Sequence, residues 1–228
     1  MYGNSRGITS RQDEIHRNLE RLLERHLASG FERPISDVSR EAFVRVMADW
    51  DLAAPILLDS GCGVGWSTLS LAREYPDHFV IGVDQSSDRI ERGKPGEQPP
   101  NLRFVRADLV DFWRLLRDDG IVLARHYLLY PNPWPKIGHL SRRWHGHAVF
   151  PVIPQLGGEL ELRTNWRIYA DEFAFAMHWL TGSEVAVEAF ETTEALTPFE
   201  RKYRDSGQSL WRYRVDLRGL PGGAARSV

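Results

Sequence analysis

The chain has 228 residues, 42% apolar and 26% charged, enough to bury a core of its own and unlike a disordered tail or a coiled rod. Its 29 basic and 31 acidic side chains leave a formal charge of −2, so any nucleic-acid partner must be held by a local patch rather than a global field. The single cysteine, Cys62, excludes an internal disulfide, no run approaches the roughly 20 apolar residues of a membrane span, and residues 1–14 lack the apolar centre of a signal peptide, so a cytoplasmic protein is expected.

In chain order, Ile15, Leu19, Leu22, Leu23 and Leu27 recur at helical spacing and predict an amphipathic helix over residues 11–28; Phe43 and Val46 mark a second over 39–50. From residue 55 short apolar runs alternate with helical segments, the pattern of a parallel sheet covered by helices. Strands are predicted at residues 56–60, 79–84, 102–106, 121–129 and 159–164. Helices are predicted at 66–75, 87–92, 109–117, 147–156 (with Pro151 and Pro154 inside) and 166–180. Residues 184–190 and 210–217 read as a closing antiparallel pair joined by a polar loop without helical period. Short Pro- and Gly-rich stretches at 94–100, 131–138 and 157–158 read as loops within one domain. The expectation is a Rossmann-like α/β fold: a seven-stranded, mostly parallel sheet at 55–218, an antiparallel C-terminal strand, and a helical extension over 1–50.

Chemistry concentrates first at LLDSGCGVG, residues 57–65, where a buried strand turns into a helix. Gly61, Gly63 and Gly65 permit a tight turn and close approach of a ligand to the backbone, but their spacing is not that of the dinucleotide fingerprint. Asp84 closes the second strand, where a carboxylate can accept from ribose hydroxyls. Asp59 closes the first strand and Asp108 the third, each readable also as a solvated or helix-capping carboxylate. Several acidic strand ends around one crevice would repel a phosphate-rich ligand and favour a cationic, phosphate-free nucleoside. S-adenosylmethionine fits that description.

After the fourth strand comes YPNPWPKIGHLSRRWH, residues 130–145, a Pro-rich turn leading into a basic, aromatic stretch at the ligand-binding end of the sheet. Lys136, Arg142 and Arg143 carry +3 without a compensating acid, and Trp134 and Trp144 interleave with them. Cations of this kind hold phosphates while aromatic faces stack on bases. His139, His145 and His147 lie nearby, but no complementary cysteine accompanies them and methyl transfer from a sulfonium needs no Lewis acid, so no metal is expected. Cys62 has no evident base partner and reads as a small side chain packed beneath the ligand.

The sequence resembles the tRNA (guanine-N7)-methyltransferase family over nearly its whole length: in the glycine loop, the NPWPK turn, the Arg142–Arg143 pair, the TNWR stretch at 164–167 and TPFERKY at 197–203, with SRGITSRQ at 5–12 similar to the family's basic lead-in. The resemblance implies S-adenosylmethionine-dependent methylation of RNA, with tRNA as partner and no membrane. It assigns cofactor contacts to Asp59, Gly61, Gly63, Gly65, Asp84, Asp108 and Asn132, and puts Asn132 in the catalytic turn. It assigns substrate contacts to Lys136, Asn165, Thr197, Phe199 and Glu200, beside the basic pair Arg142 and Arg143. The oligomeric state, monomer or homodimer, is left open. Asn132 and Asn165 stand where the family carries aspartate, Arg167 where it carries glutamate, and Asp59 where glutamate is usual. Guanine N7 has a lone pair and no proton, so its methylation needs alignment rather than a general base. Two alternatives follow from these departures: an exocyclic amino-group methyltransferase, since NPWP resembles the turn of that class, and a catalytically quiet cofactor- and RNA-binding paralogue.

Overall fold

The computed structural model describes residues 4–92 and 96–220; residues 1–3, 93–95 and 221–228, and with them the start of the loop expected at 94–100, lie outside the described residues. A seven-stranded sheet runs in the order β3-β2-β1-β4-β5-β7-β6. Its members are β1 (Ile56–Ser60), β2 (Phe79–Asp84), β3 (Leu102–Arg106), β4 (Arg125–Leu129), β5 (Glu159–Thr164), β6 (Glu188–Phe190) and β7 (Leu210–Asp216). β1 to β5 pair in parallel, and β7 inserts antiparallel between β5 and β6. The order reverses between β1 and β4, and that reversal opens the crevice where α/β sheets take ligands.

The helices are α1 (Leu19–Ser29), α2 (Asp37–Ala48), α3 (Trp66–Glu74), α4 (Ser87–Glu91), α5 (Leu109–Asp118), α6 (Arg167–Thr181) and α7 (Pro198–Asp205). Side chains of β1 alternate between two cores, as a strand covered on both faces requires. Ile56 and Leu58 face the larger cluster, with Phe43, Trp113 and Phe173, whereas Leu57 faces the smaller one, with Leu69 and Ala72 of α3 and Val80 of β2. No helix among the described residues is long and apolar enough to cross a membrane.

The closing strand expected at 184–190 is confined to Glu188–Phe190, and four further elements depart from the expectation, each for a physical reason. The first helix begins at Leu19 instead of residue 11, because the preceding segment uses its polar groups elsewhere. Ser10 Oγ donates to Pro135 O at 2.7 Å, and both Gln12 Nε2 and the His16 backbone N–H donate to Glu172 Oε1. β4 begins at Arg125 because the Leu123 N–H donates to Leu156 O and Val122 stays exposed. Residues 150–156 form a 3₁₀ helix around Pro151 and Pro154 instead of the expected α-helix. The predicted polar loop contains α7, whose Thr197 hydroxyl accepts the Glu200 N–H with proline at the first helical position.

Candidate functional site

At the carboxyl edge of β1, β2 and β4 lies a cavity of about 410 Å³, walled by the glycine loop, Asp84, Asp108, Asn132 and the segment 197–199. The loop is shaped by left-handed backbone at Gly61 (φ 78°), Gly63 (φ 58°) and Gly65 (φ 79°), a region costly for any side chain with a Cβ. Gly61 and Cys62 both donate their N–H to Val83 O, which ties the loop to the end of β2. Gly63 N–H donates to Asp84 Oδ2 at 3.0 Å, and Ser86 N–H donates to Asp84 Oδ1 at 2.9 Å. A carboxylate oxygen accepts more than one hydrogen bond, so buried Asp84 can hold the loop and still accept ribose hydroxyls.

The other acids have different duties. Asp59 does not line the cavity; it is 1% exposed and accepts from Ser67 Oγ and Thr68 Oγ1 at 2.6 and 2.7 Å. Burial pushes its carboxyl up to about 6, against those two hydrogen bonds. The expectation of direct cofactor contact is corrected: Asp59 fastens the first turn of α3 behind the loop. Gly65 likewise lies outside the cavity wall, as the N-cap of α3. Asp108 lines the cavity and also caps α5, accepting from Val110 N–H at 2.8 Å. Gly82 shows how closely this corner is packed, since an added Cβ would stand 2.6 Å from Thr68 Oγ1. Gly82→Ala is expected to lower stability by about 1–3 kcal/mol in chemical denaturation, by pushing Thr68 off Asp59.

Beneath the cavity, Ser60 Oγ accepts from Trp113 Nε1 at 2.9 Å and lies 2.8 Å from His126 Nε2. Burial pushes His126 down to about 3, so its ring is neutral. The sequence did not signal this relay, whereas Trp144, expected among the basic and aromatic residues after β4, does line the cavity.

The turn after β4 carries two left-handed residues that are not glycine, Tyr130 (φ 53°) and Trp134 (φ 45°). Such conformations persist where surroundings impose them. Between them Asn132 stands exposed at the cavity mouth, and its amide has no hydrogen-bond partner among the described residues. Arg143 imposes the turn: its Nε and Nη2 donate to Trp134 O at 3.2 and 3.1 Å, and its Nη1 meets Glu172 Oε2 at 2.5 Å. Arg143 is fully buried, so the expectation that it holds substrate is corrected. Arg142 is exposed with its guanidinium 4.8 Å from the Trp134 ring, and Lys136 is exposed without an ion pair among the described residues.

Thr197 and Phe199 reach the cavity rim, where Phe199 is 54% exposed. Glu200 does not: it is fully buried, paired with Arg163 at 3.2 Å and accepting the Leu196 N–H, so its expected substrate contact is also corrected. Asn165 is half-buried away from the cavity and donates to Gln208 Oε1 at 2.8 Å. Of the histidines near this turn, His145 is buried with its Nε2 2.8 Å from Glu172 Oε2, and His139 packs edge-on to Trp134.

A glycine-turned cavity at the switch point of a parallel sheet, with a carboxylate closing its second strand, defines a Rossmann-like methyltransferase. A family model described as "Putative methyltransferase" matches residues 53–213. The tRNA (guanine-N(7)-)-methyltransferase of Saccharophagus degradans is 30% identical over 70% of this chain and 74% of its own, and that of Zymomonas mobilis is 29% identical over the same shares. The Escherichia coli enzyme is 24% identical over 90% and 88%. The chain belongs to this tRNA (guanine-N7)-methyltransferase family. In fold it is also similar to the 16S rRNA methyltransferase KamB (TM-score 0.52, 20% identity, 82% of this chain and 97% of that one) and to the 16S rRNA (adenine(1408)-N(1))-methyltransferase of Catenulisporales acidiphilia (TM-score 0.50, 16% identity, 84% and 95%).

Proposed function

We propose that this protein uses S-adenosylmethionine to methylate N7 of a guanine in tRNA. The observation that carries the proposal is the unpaired Asn132 amide at the mouth of a cavity walled by Asp84 and the glycine loop. The cavity leaves room for the cofactor: a Cβ at Gly63 would meet nothing within 4 Å, so the backbone is open to a ligand, and the wall sets the carboxylates of Asp84 and Asp108 beside Arg89 and Arg92. Bound there, S-adenosylmethionine supplies an electrophilic methyl group on sulfur. Guanine N7 would take that methyl group through its lone pair with no proton to lose, so no general base would be required of the chain. The chain's task is therefore to aim and hold. Asn132 can accept one guanine N–H and donate from its amide, and Phe199 presents an exposed ring for a base face.

Incubation of the protein with cofactor and unmodified tRNA, followed by nucleoside mass spectrometry, is expected to yield 7-methylguanosine. A methyl group on an exocyclic amine, or no methylated nucleoside, overturns the proposal. Because Asn132 is exposed, Asn132→Asp is expected to leave the melting temperature unchanged. It should raise kcat/KM for tRNA by roughly tenfold, the gain from replacing a neutral acceptor by a charged one, read from initial rates.

A further inference from the structure

A second concave surface lies next to the catalytic turn. The exposed side of α1 and the 3₁₀ segment Ile137–Arg142 enclose a groove of about 680 Å³. Arg17, Arg21 and Arg25 line one wall, and Ile137, Gly138 and Ser141 line the other. The three arginines are exposed, and none of their guanidinium groups forms an ion pair or hydrogen bond among the described residues. No carboxylate lines the groove, since Glu20 and Glu24 of α1 lie outside its walls. Lys136 and Arg142, also exposed, continue the positive strip from the groove to the cavity mouth at Asn132.

The groove gathers three unpaired cations on one wall in a chain of net charge −2, whereas exposed Arg33, Arg167 and Arg218 are each paired with a neighbouring acid. Spacing adds to the charge argument. Arg21 and Arg25, four apart on α1, are separated by about 6 Å along its axis, and Arg17 continues the row from the turn just before the helix. That is close to the separation of successive phosphates along one nucleic-acid strand. We propose that this groove is a docking track for the phosphate backbone of the RNA substrate, which seats the polynucleotide beside α1 while the target base enters the cavity past Asn132. The inference rests on the RNA-methylating reading and extends it to a surface that takes no part in methyl transfer.

The test compares wild type with Arg17→Gln/Arg21→Gln/Arg25→Gln, and with Arg21→Gln alone. A control, Glu20→Gln/Glu24→Gln, lies on the same helix outside the groove. Binding of tRNA is measured by fluorescence anisotropy at several salt concentrations, cofactor binding by calorimetry, and folding by circular dichroism. The triple variant is expected to lose roughly tenfold or more in tRNA affinity, and its log–log salt slope should fall by about 2–3, near one per lost phosphate contact. Arg21→Gln should lower the slope by about 1. Cofactor affinity and helicity should stay at wild-type values, and the control should bind tRNA at least as well as wild type. Unchanged tRNA affinity and slope in the folded triple variant overturn the groove while leaving methylation intact. Wild type that binds tRNA through these arginines but forms no methylated nucleoside overturns the enzymatic reading and leaves the groove standing. Wild type that binds no tRNA overturns both.

Discussion

Glu172→Ala is expected to cost about 3–5 kcal/mol of stability, measured by urea unfolding, and to abolish most methyl transfer. The carboxylate is fully buried, and four groups converge on it: Arg143, His145, Gln12 and the His16 backbone N–H. Removing it leaves the Arg143 guanidinium buried and uncompensated, the costliest kind of ion-pair disruption. The catalytic loss follows from the same guanidinium, which also holds Trp134 O in its left-handed turn beside Asn132. Glu172→Leu/Arg143→Met separates the two effects. Replacing both charges by apolar groups should restore much of the stability, but the turn stays unanchored and kcat stays low. Full recovery of kcat in the folded double variant would show that Arg143 has no positioning role.

The same cluster sets the response to acid. Burial alone would raise the Glu172 carboxyl, but hydrogen bonding to His145 and the nearby Arg143 charge hold it at about 2. Its stabilisation is therefore complete above the ordinary glutamate range and drains away as the pH falls toward 2. His126, held neutral by burial with its titration pushed down to about 3, adds to this at milder acidity. The unfolded chain takes up that proton first, so stability already declines below about pH 6.5. Urea midpoints are expected to fall from pH 7 to pH 5, and the decline should be reduced where His126 is replaced by glutamine.

Asp84→Ala is expected to weaken S-adenosylmethionine binding at least 100-fold in calorimetry while the protein stays folded. Loss of hydrogen bonds to a charged acceptor is worth about 1.5–3 kcal/mol each, and two ribose hydroxyls are at stake. The carboxylate also organises the cradle through the N–H groups of Gly63 and Ser86, so its removal frees the loop as well. Asp84→Asn should be nearly as harmful, because its amide can turn only one oxygen toward those two donors. Wild-type affinity in Asp84→Ala would remove the basis for placing the nucleoside in this cavity.

The central strands were legible because each is a short apolar run buried on both faces, from Ile56 to Ser60 and again from Phe79 to Asp84. The glycine loop and Asp84 were legible for a related reason: the backbone geometry there admits few residue types. The first helix was overextended because Ile15 fits the helical period, yet it is 41% exposed and its segment is tied to the Pro135 turn and to α6. α7 carried a readable signal that period alone misses, a Thr197-to-Glu200 capping box with Pro198 at the first position. Arg142 and Arg143 look equivalent in sequence. What separates them is Glu172, distant in the chain and adjacent only after folding.

Ser5 N–H donates to the Ser206 hydroxyl, and Gln208 Nε2 donates to Ser5 O, so the first described residues are stitched to a segment some 200 positions later. A growing polypeptide on the ribosome cannot make that seam until residues 206–208 have been added. Phe199 and Thr197, which finish the cavity rim, emerge equally late. The nascent chain therefore carries an incomplete pocket until those residues emerge, and contacts of such long range predict slow final docking.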